Sequence, residues 1–235
     1  MTLPSLQPSK RIVSIDILRG AVMLIMALDH VRDFFHVHGW DQNPTDLATT
    51  TPFLFFTRWI THFCAPVFVF LSGTSAFIAG QKKTKKELST FLIKRGFWLI
   101  LVEVVIMTLA FSFNPLYNVI FWQVIWAIGW SMIILGLLVR TSVKLIAIIG
   151  LILFLGHNIL DYMPQPAPAT TADFFMRVFF TAQFTLFQTG ENRFILDLYA
   201  ILPWTGVMLL GYAFGTFYKK TYDAVKRRKN ILMIG

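Results

Sequence analysis

Six stretches of about 20 predominantly apolar residues, each the length that crosses a ~30 Å hydrocarbon core, constrain this chain more than any other feature. They run from Ile12 to Phe35, Pro52 to Ala79, Phe91 to Phe113, Leu116 to Val139, Val143 to Leu160 and Ile195 to Tyr218. The basic residues follow their alternation. Lys10 and Arg11 precede the first span, and Lys82, Lys83, Lys85 and Lys86 follow the second. Lys94 and Arg95 open the third, Arg140 and Lys144 separate the fourth from the fifth, and six more lie between Lys219 and Lys229 after the sixth. Sixteen of the 21 lysines and arginines thus fall on one side, which by the positive-inside rule is the cytoplasm. The expectation is an all-α polytopic membrane helix bundle of about six transmembrane helices, with both termini cytoplasmic and residues 37 to 51, around 114 and 161 to 194 outside.

Composition agrees, with 56% hydrophobic residues and 24 phenylalanines. The net charge of +9 is accounted for by topology, so nucleic acid is not expected as a partner. One cysteine, Cys64, permits no intrachain disulfide. The first span is interrupted by Ser14, Asp16 and Arg19 and lacks a cleavage site, so it reads as a retained helix rather than a signal peptide. The longest linker starts proline-rich and turns aromatic, predicting an external loop with a short interfacial helix. Residues 1–235 read as one domain. The basic cluster KRRKN followed by ILMIG reads as the beginning of a seventh span and implies a chain truncated at its C-terminus.

Ionisable residues inside a span are expensive and are functional candidates by default. In the first helix Arg19 falls toward the cytoplasmic side and His30 in the outer half. Eleven residues at about 100° each place both on one face, about 16 Å apart. Asp16 lies one turn from Arg19 and Asp33 one turn from His30, each in pairing range. His62, His157 and Asn158 fall at the outer level of their helices and are candidates to line an acceptor site, while Glu103 sits near the middle of the third helix. Ser72, Gly73 and Ser75 read as positions that let helices approach, and Trp122, Trp126 and Trp130 as a packing stripe.

No HxxxH or HExxH spacing is present, so no metal site is expected. GxSxG and glycine-rich phosphate loops are absent too. General-base chemistry suits the histidines: an imidazole takes a proton from a hydroxyl or amine attacking a carbonyl, and Asp29 or Asp33 would orient it. If the carbonyl is a thioester, the carrier's phosphates favour Arg19, Lys94 and Arg95 on the cytoplasmic side.

SIDILRGAVMLIMALDH, with its Asp-x-x-Arg-Gly start and Arg-x10-His spacing, resembles the first helix of the transmembrane acyltransferase superfamily. With THFCAPVFVFLSGTSAF and GHNILD, the chain looks more specifically like the bacterial relatives of heparan-α-glucosaminide N-acetyltransferase. The resemblance implies a transferase of the inner membrane that moves an acetyl or other acyl group from cytoplasmic acetyl-CoA or acyl-CoA, used as cosubstrate, to an extracytoplasmic acceptor, commonly a carbohydrate. No covalently bound cofactor is implied, and a homo-oligomer is compatible with it. Carried over, Arg19, with Asp16 beside it, serves the CoA side and His30 the transfer centre. In the lysosomal enzyme an asparagine fills the slot of His30, and the catalytic histidine comes later, shortly before a tryptophan. His36 and His38 precede Trp40 here, so the catalytic histidine is one of three. Family members have about ten helices, against six here. A transporter or channel using the same polar stripe as a solute or proton path is the alternative reading.

Overall fold

A computed structural model describes residues 12–37, 43–162, 164–182, 184–219 and 221–234. His38 and Trp40 lie outside the described residues, as do Lys10 and Arg11. The chain divides into two units, Met1–Phe68 and Val69–Gly235.

The first unit holds α1 (Val13–Phe35), α2 (Pro52–Thr61) and the start of α3 (Cys64–Gly80). Helix α2 begins where Thr51 accepts the Leu54 amide and Pro52 supplies a preset φ at the first turn. The protected stripe of α1 runs through Ile15, Arg19, Val22, Met26, Asp29 and Asp33, a spacing of alternating fours and threes. That 3.5-residue period drifts around a 3.6-residue helix. By the C-terminal end of the helix the stripe has moved off His30, which is exposed, and onto Asp29. Arg19 and His30 thus lie on the same side of α1, as the spacing predicts, with Arg19 half-buried and His30 exposed.

The second unit contains the rest of α3, then α4 (Lys85–Leu101), a π-helical segment at Val102–Met107, and α5 (Thr108–Ser112). It continues through β1 (Val119–Trp122), α6 (Val124–Leu138), α7 (Val143–Gly156) and a 3-10 turn at His157–Tyr162. Helix α8 (Thr171–Met176), a second π segment, β2 (Thr185–Gly190) and β3 (Arg193–Asp197) follow, and α9 (Ile201–Phe214), a 3-10 turn to Tyr218 and α10 (Ala224–Ile234) complete it. Helix α6 packs between α4 and α9, and α7 against α9. Val69, Leu92, Leu135, Ile146, Met208 and Leu209 form the core of this packing.

Small residues set the helix spacing. A Cβ added at Gly73 would lie 2.0 Å from the Met208 carbonyl oxygen, and one at Gly211 2.0 Å from that of Phe70. At this crossing Thr74 Oγ1 donates to the Gly211 carbonyl at 2.9 Å. Gly73 therefore serves close approach, as the sequence predicts.

By length and composition Pro52–Gly80, Val143–Leu160 and Ile201–Tyr218 are able to cross a membrane. Six helical spans were expected. The apolar run at α6 contains a helix of 15 residues, about 22 Å and short of a full crossing, because β1 takes the start of that run. Helix α1 carries five charged residues and α4 with its π segment carries six.

The all-α expectation is also corrected by a small three-stranded sheet, ordered β1-β3-β2, with β1 parallel and β2 antiparallel to β3. Asn192 takes φ 55° at the β2–β3 turn, a left-handed conformation asparagine tolerates. The expected short helix in the external linker is α8, pinned by Arg177 Nε on Asp173 at 2.6 Å and Arg177 Nη1 on Thr185 at 3.0 Å.

The last span thus begins at Ile201, after β3, and Asp197 lies before it. Asp197 is fully buried, and neither carboxylate oxygen has a hydrogen-bond partner among the described residues. Burial pushes its carboxyl up to about 7, opposed by the nearby Tyr199 amide. A folded-state value raised above the unfolded 3.8 means that the folded chain holds a proton which the unfolded chain has released. The associated stability is present below pH 4 and is lost as pH rises through 7, by roughly 4 kcal/mol at most. Asp197→Asn is expected to remove that loss, so thermal melts of the variant and the parent should diverge between pH 4 and 7, with the variant the more stable at pH 8.

Candidate active site

In the first unit, charged side chains of α1 and α2 form one network. Asp29 is its hub. Arg32 Nη1 pairs with Asp29 Oδ1 at 2.7 Å, Thr61 Oγ1 donates to the same oxygen at 2.7 Å, and Arg58 Nη1 pairs with Oδ2. Asp33 receives Arg32 through Nε at 3.2 Å and Nη2 at 2.6 Å. Two carboxylates are matched by two guanidinium groups, and the side chains retain only 11% exposure at Arg32 and 16% at Asp29. Removing one partner from such a set strands the others, which is far more costly than the net worth of any pair.

This geometry changes the assignment of the carboxylates. Asp29 and Asp33 were expected to orient His30; instead both are engaged by arginines, because α2 brings Arg58 against α1 and Arg32 lies one turn from Asp29. Asp16 is exposed and Arg19 half-buried.

His36, one residue past α1, lines a small cleft with Arg32, Asn43, Pro44, Thr49, Thr50 and Leu54. The cleft holds about 20 Å³, room for one water-sized group such as a hydroxyl. Its far wall is a self-bonded turn. Asn43 Oδ1 accepts from the Thr45 amide at 3.0 Å and its hydroxyl at 2.8 Å, and Thr50 Oγ1 donates to the Pro44 carbonyl at 2.7 Å. Arg32 thus reaches both the ion-pair network and the cleft. Its bonds to Asp29 and Asp33 use three of the five guanidinium N–H donors.

His62 is exposed, with Nδ1 2.8 Å from the Arg58 carbonyl, which leaves Nε2 to face outward. In the second unit the half-buried His157 sets Nδ1 2.7 Å from the Phe154 carbonyl, and Asn158 is exposed. Lys94 and Arg95 are exposed on α4. Glu103 is buried in the π segment, its Oε1 accepting the Gln123 amide at 3.0 Å, while Oε2 has no partner among the described residues. Trp122 stacks on Trp126 at 4.3 Å, and Trp126 meets Trp130 edge-on, which is packing as read from the sequence. Among the described residues no group of three or more histidines, cysteines and carboxylates is placed to hold a metal ion.

Sequence reasoning missed Arg32, Arg58 and Thr61. Arg58 carried a signal, since an arginine within an apolar run satisfies the same criterion that singled out Arg19. Its partner was invisible, because Asp29 is 29 residues away and on another helix.

Long apolar helices together with a protected ion-pair network beside a small cleft mark a membrane protein with a partly buried cluster of charge. More specifically, the family model for the heparan-alpha-glucosaminide N-acetyltransferase catalytic domain matches residues 11–233, and the chain belongs to that family of membrane acetyltransferases. No curated protein and no solved structure matches the chain.

Proposed function

We propose that this protein transfers an acetyl or related acyl group from cytoplasmic acyl-CoA to a hydroxyl or amine of an extracytoplasmic acceptor, with a carbohydrate as the acceptor class. The observation that carries the reading is the family match over nearly the whole chain. The cleft beside Arg32 supports His36 as the general base. An imidazole there takes the proton of the acceptor hydroxyl or amine as its lone pair attacks the thioester carbonyl. The C–S bond breaks as the new C–O or C–N bond forms, and the thiolate leaves to be protonated as CoA. The Arg32 donors not used by Asp29 and Asp33 are suited to the oxyanion that develops on the carbonyl oxygen. Asp29 and Asp33 then act through Arg32, holding it in place. His30 stands as the alternative base on the same helix, and His38 as a third.

Arg19, Lys94 and Arg95 are the cations proposed to attract the CoA phosphates, Asp16 lying one turn from Arg19. His62, His157 and Asn158 remain the proposed acceptor-side polar groups, with Nδ1 of each histidine held by a backbone carbonyl.

Thermal unfolding of the purified protein with acetyl-CoA tests the reading. At a hundredfold excess over its dissociation constant, acetyl-CoA should stabilise the fold by about 2.7 kcal/mol. Stabilisation by acetyl-CoA followed by release of CoA on adding a sugar acceptor is the expected result. Solute or proton flux in proteoliposomes with no acyl-CoA requirement, and no thermal shift, would overturn it in favour of a transporter.

A further inference from the structure

Asp197 ends β3 between two register partners, Trp122 of β1 and Thr185 of β2. Residues paired in register share a face of the sheet, so the three side chains form one row across it. Cβ atoms in an antiparallel pair stand about 4.5–5.5 Å apart, which leaves the Thr185 hydroxyl one side chain from the unpartnered Asp197 carboxylate.

Thr185 is itself engaged. Its Oγ1 donates to the Ala182 carbonyl and accepts Arg177 Nη1 at 3.0 Å. Arg177 opens the second π segment, Arg177–Thr181, and also bonds Asp173 of α8 through Nε at 2.6 Å. Those bonds use two of its five N–H donors. Asp173 is buried, and its other oxygen accepts the Ala169 amide at 3.2 Å. The π segment closes on Ala182 at φ 51° and ψ −64°, a conformation that alanine adopts only under constraint from its surroundings.

The other titratable groups around Asp197 are committed or distant. Glu103, in the π segment packed on β1, gives Oε1 to the Gln123 amide. Neither β1 nor β2 carries a titratable residue, and Arg193 is exposed at the far end of β3. Tyr199 follows in the turn into α9, which has no charged residue and whose Tyr212 packs on Phe77. The 3-10 turn on the second π segment adds His157, Asp161 and Tyr162. Arg177 is therefore the cation that the row brings next to Asp197.

We propose that Thr185 and Asp197 are alternative acceptors for Arg177, and that ionisation of Asp197 passes Nη1 from the Thr185 hydroxyl to the carboxylate, re-seating α8 from β2 onto β3. The proton of the Asp197 carboxyl leaves for solvent. A hydrogen bond between two ionised groups is about twice as strong as one between neutral groups, and a buried carboxylate without a partner is costly. The protonated carboxyl has no such hold on a guanidinium, so Thr185 keeps it, as observed. This latch lies within the second unit and is independent of acyl transfer.

The test is an infrared titration of the full chain in detergent micelles, following the carboxylic C=O stretching band that Asp197→Asn removes. In the parent the band should fade as pH rises through about 7. Thr185→Val removes the competing acceptor and leaves every charge in place, so the band should fade about one pH unit lower. A more apolar neighbour alone would raise the midpoint, which makes the downward direction diagnostic. Arg177→Gln removes the receiving cation, and the band should persist about one pH unit higher. A midpoint in Thr185→Val at or above the parent's would overturn the proposal even if Arg177→Gln raises it, because a fixed cation acts through space without changing partners. So would a parent without the band at acidic pH, since Asp197 is then already ionised. Where Arg177→Gln does not fold, the comparison of Thr185→Val with the parent decides alone.

Discussion

His36→Ala is expected to slow acyl transfer by about 10²- to 10⁴-fold, the range that a positioned general base contributes. Binding of acetyl-CoA should persist, because the substitution removes no cation proposed for the phosphates. The expectation rests on position. His36 and Arg32 line the same small cleft, and Arg32 is fixed by two carboxylates, so the proposed proton acceptor and the proposed oxyanion donor share one space. His30→Ala should cost far less, since the two carboxylates able to orient it are taken by arginines. The measurement is single-turnover release of CoA from acetyl-CoA in the presence of acceptor, with the parent and both variants matched for thermal stability. Unchanged turnover in His36→Ala, with loss in His30→Ala, would return the base to His30; loss in neither would leave His38.

The second large effect concerns folding. Gly73→Ala and Gly211→Ala are expected to abolish recovery of a monodisperse, cooperatively melting protein. In a helix interior the change from glycine to alanine is ordinarily favourable by up to about 1 kcal/mol, so propensity alone predicts stabilisation. Packing reverses the sign. Each new methyl would stand 2.0 Å from a backbone oxygen of the facing helix, and a backbone cannot step aside as a flexible side chain does. Helices α3 and α9 would have to separate, loosening the Thr74 bond to the Gly211 carbonyl and the packing around Met208. That exceeds the ~1–3 kcal/mol typical of an overpacked core. Gly20→Ala and Gly156→Ala are the controls: nothing lies within 4 Å of the added carbon at either, and both should melt at or above the parent temperature. Size-exclusion profiles and thermal melts in detergent distinguish the two pairs.

Hydrophobic length is a local property, and it located the helices well. Pro52–Gly80 and Val143–Leu160 fall within a residue of the stretches read by counting apolar residues, and the first stretch holds α1. Counting failed where an apolar run was divided between a strand and a helix. Leu116 to Val139 holds β1 and α6, and Ile195 to Tyr218 starts inside β3. A transfer scale registers Val119–Trp122 as membrane-compatible. What makes those residues a strand is pairing with Phe194–Asp197, some 75 residues on, which no local window contains.

The candidate site divides the same way. The sequence by itself determined that ionisable groups sit on an apolar helix, that His30, His36, Asp29 and Asp33 lie near its C-terminal end, and that the family is an acetyltransferase one. Those facts follow from residue identity and from the fixed rise and rotation of a helix. Which groups meet was decided by tertiary structure. A 3.5-residue packing stripe carried the protected side away from His30 to Asp29, and the approach of α2 supplied Arg58 and Thr61. A carboxylate in a protected site takes the nearest strong donor, and whether that donor is a histidine one residue away or an arginine on the next helix depends on how the helices pack.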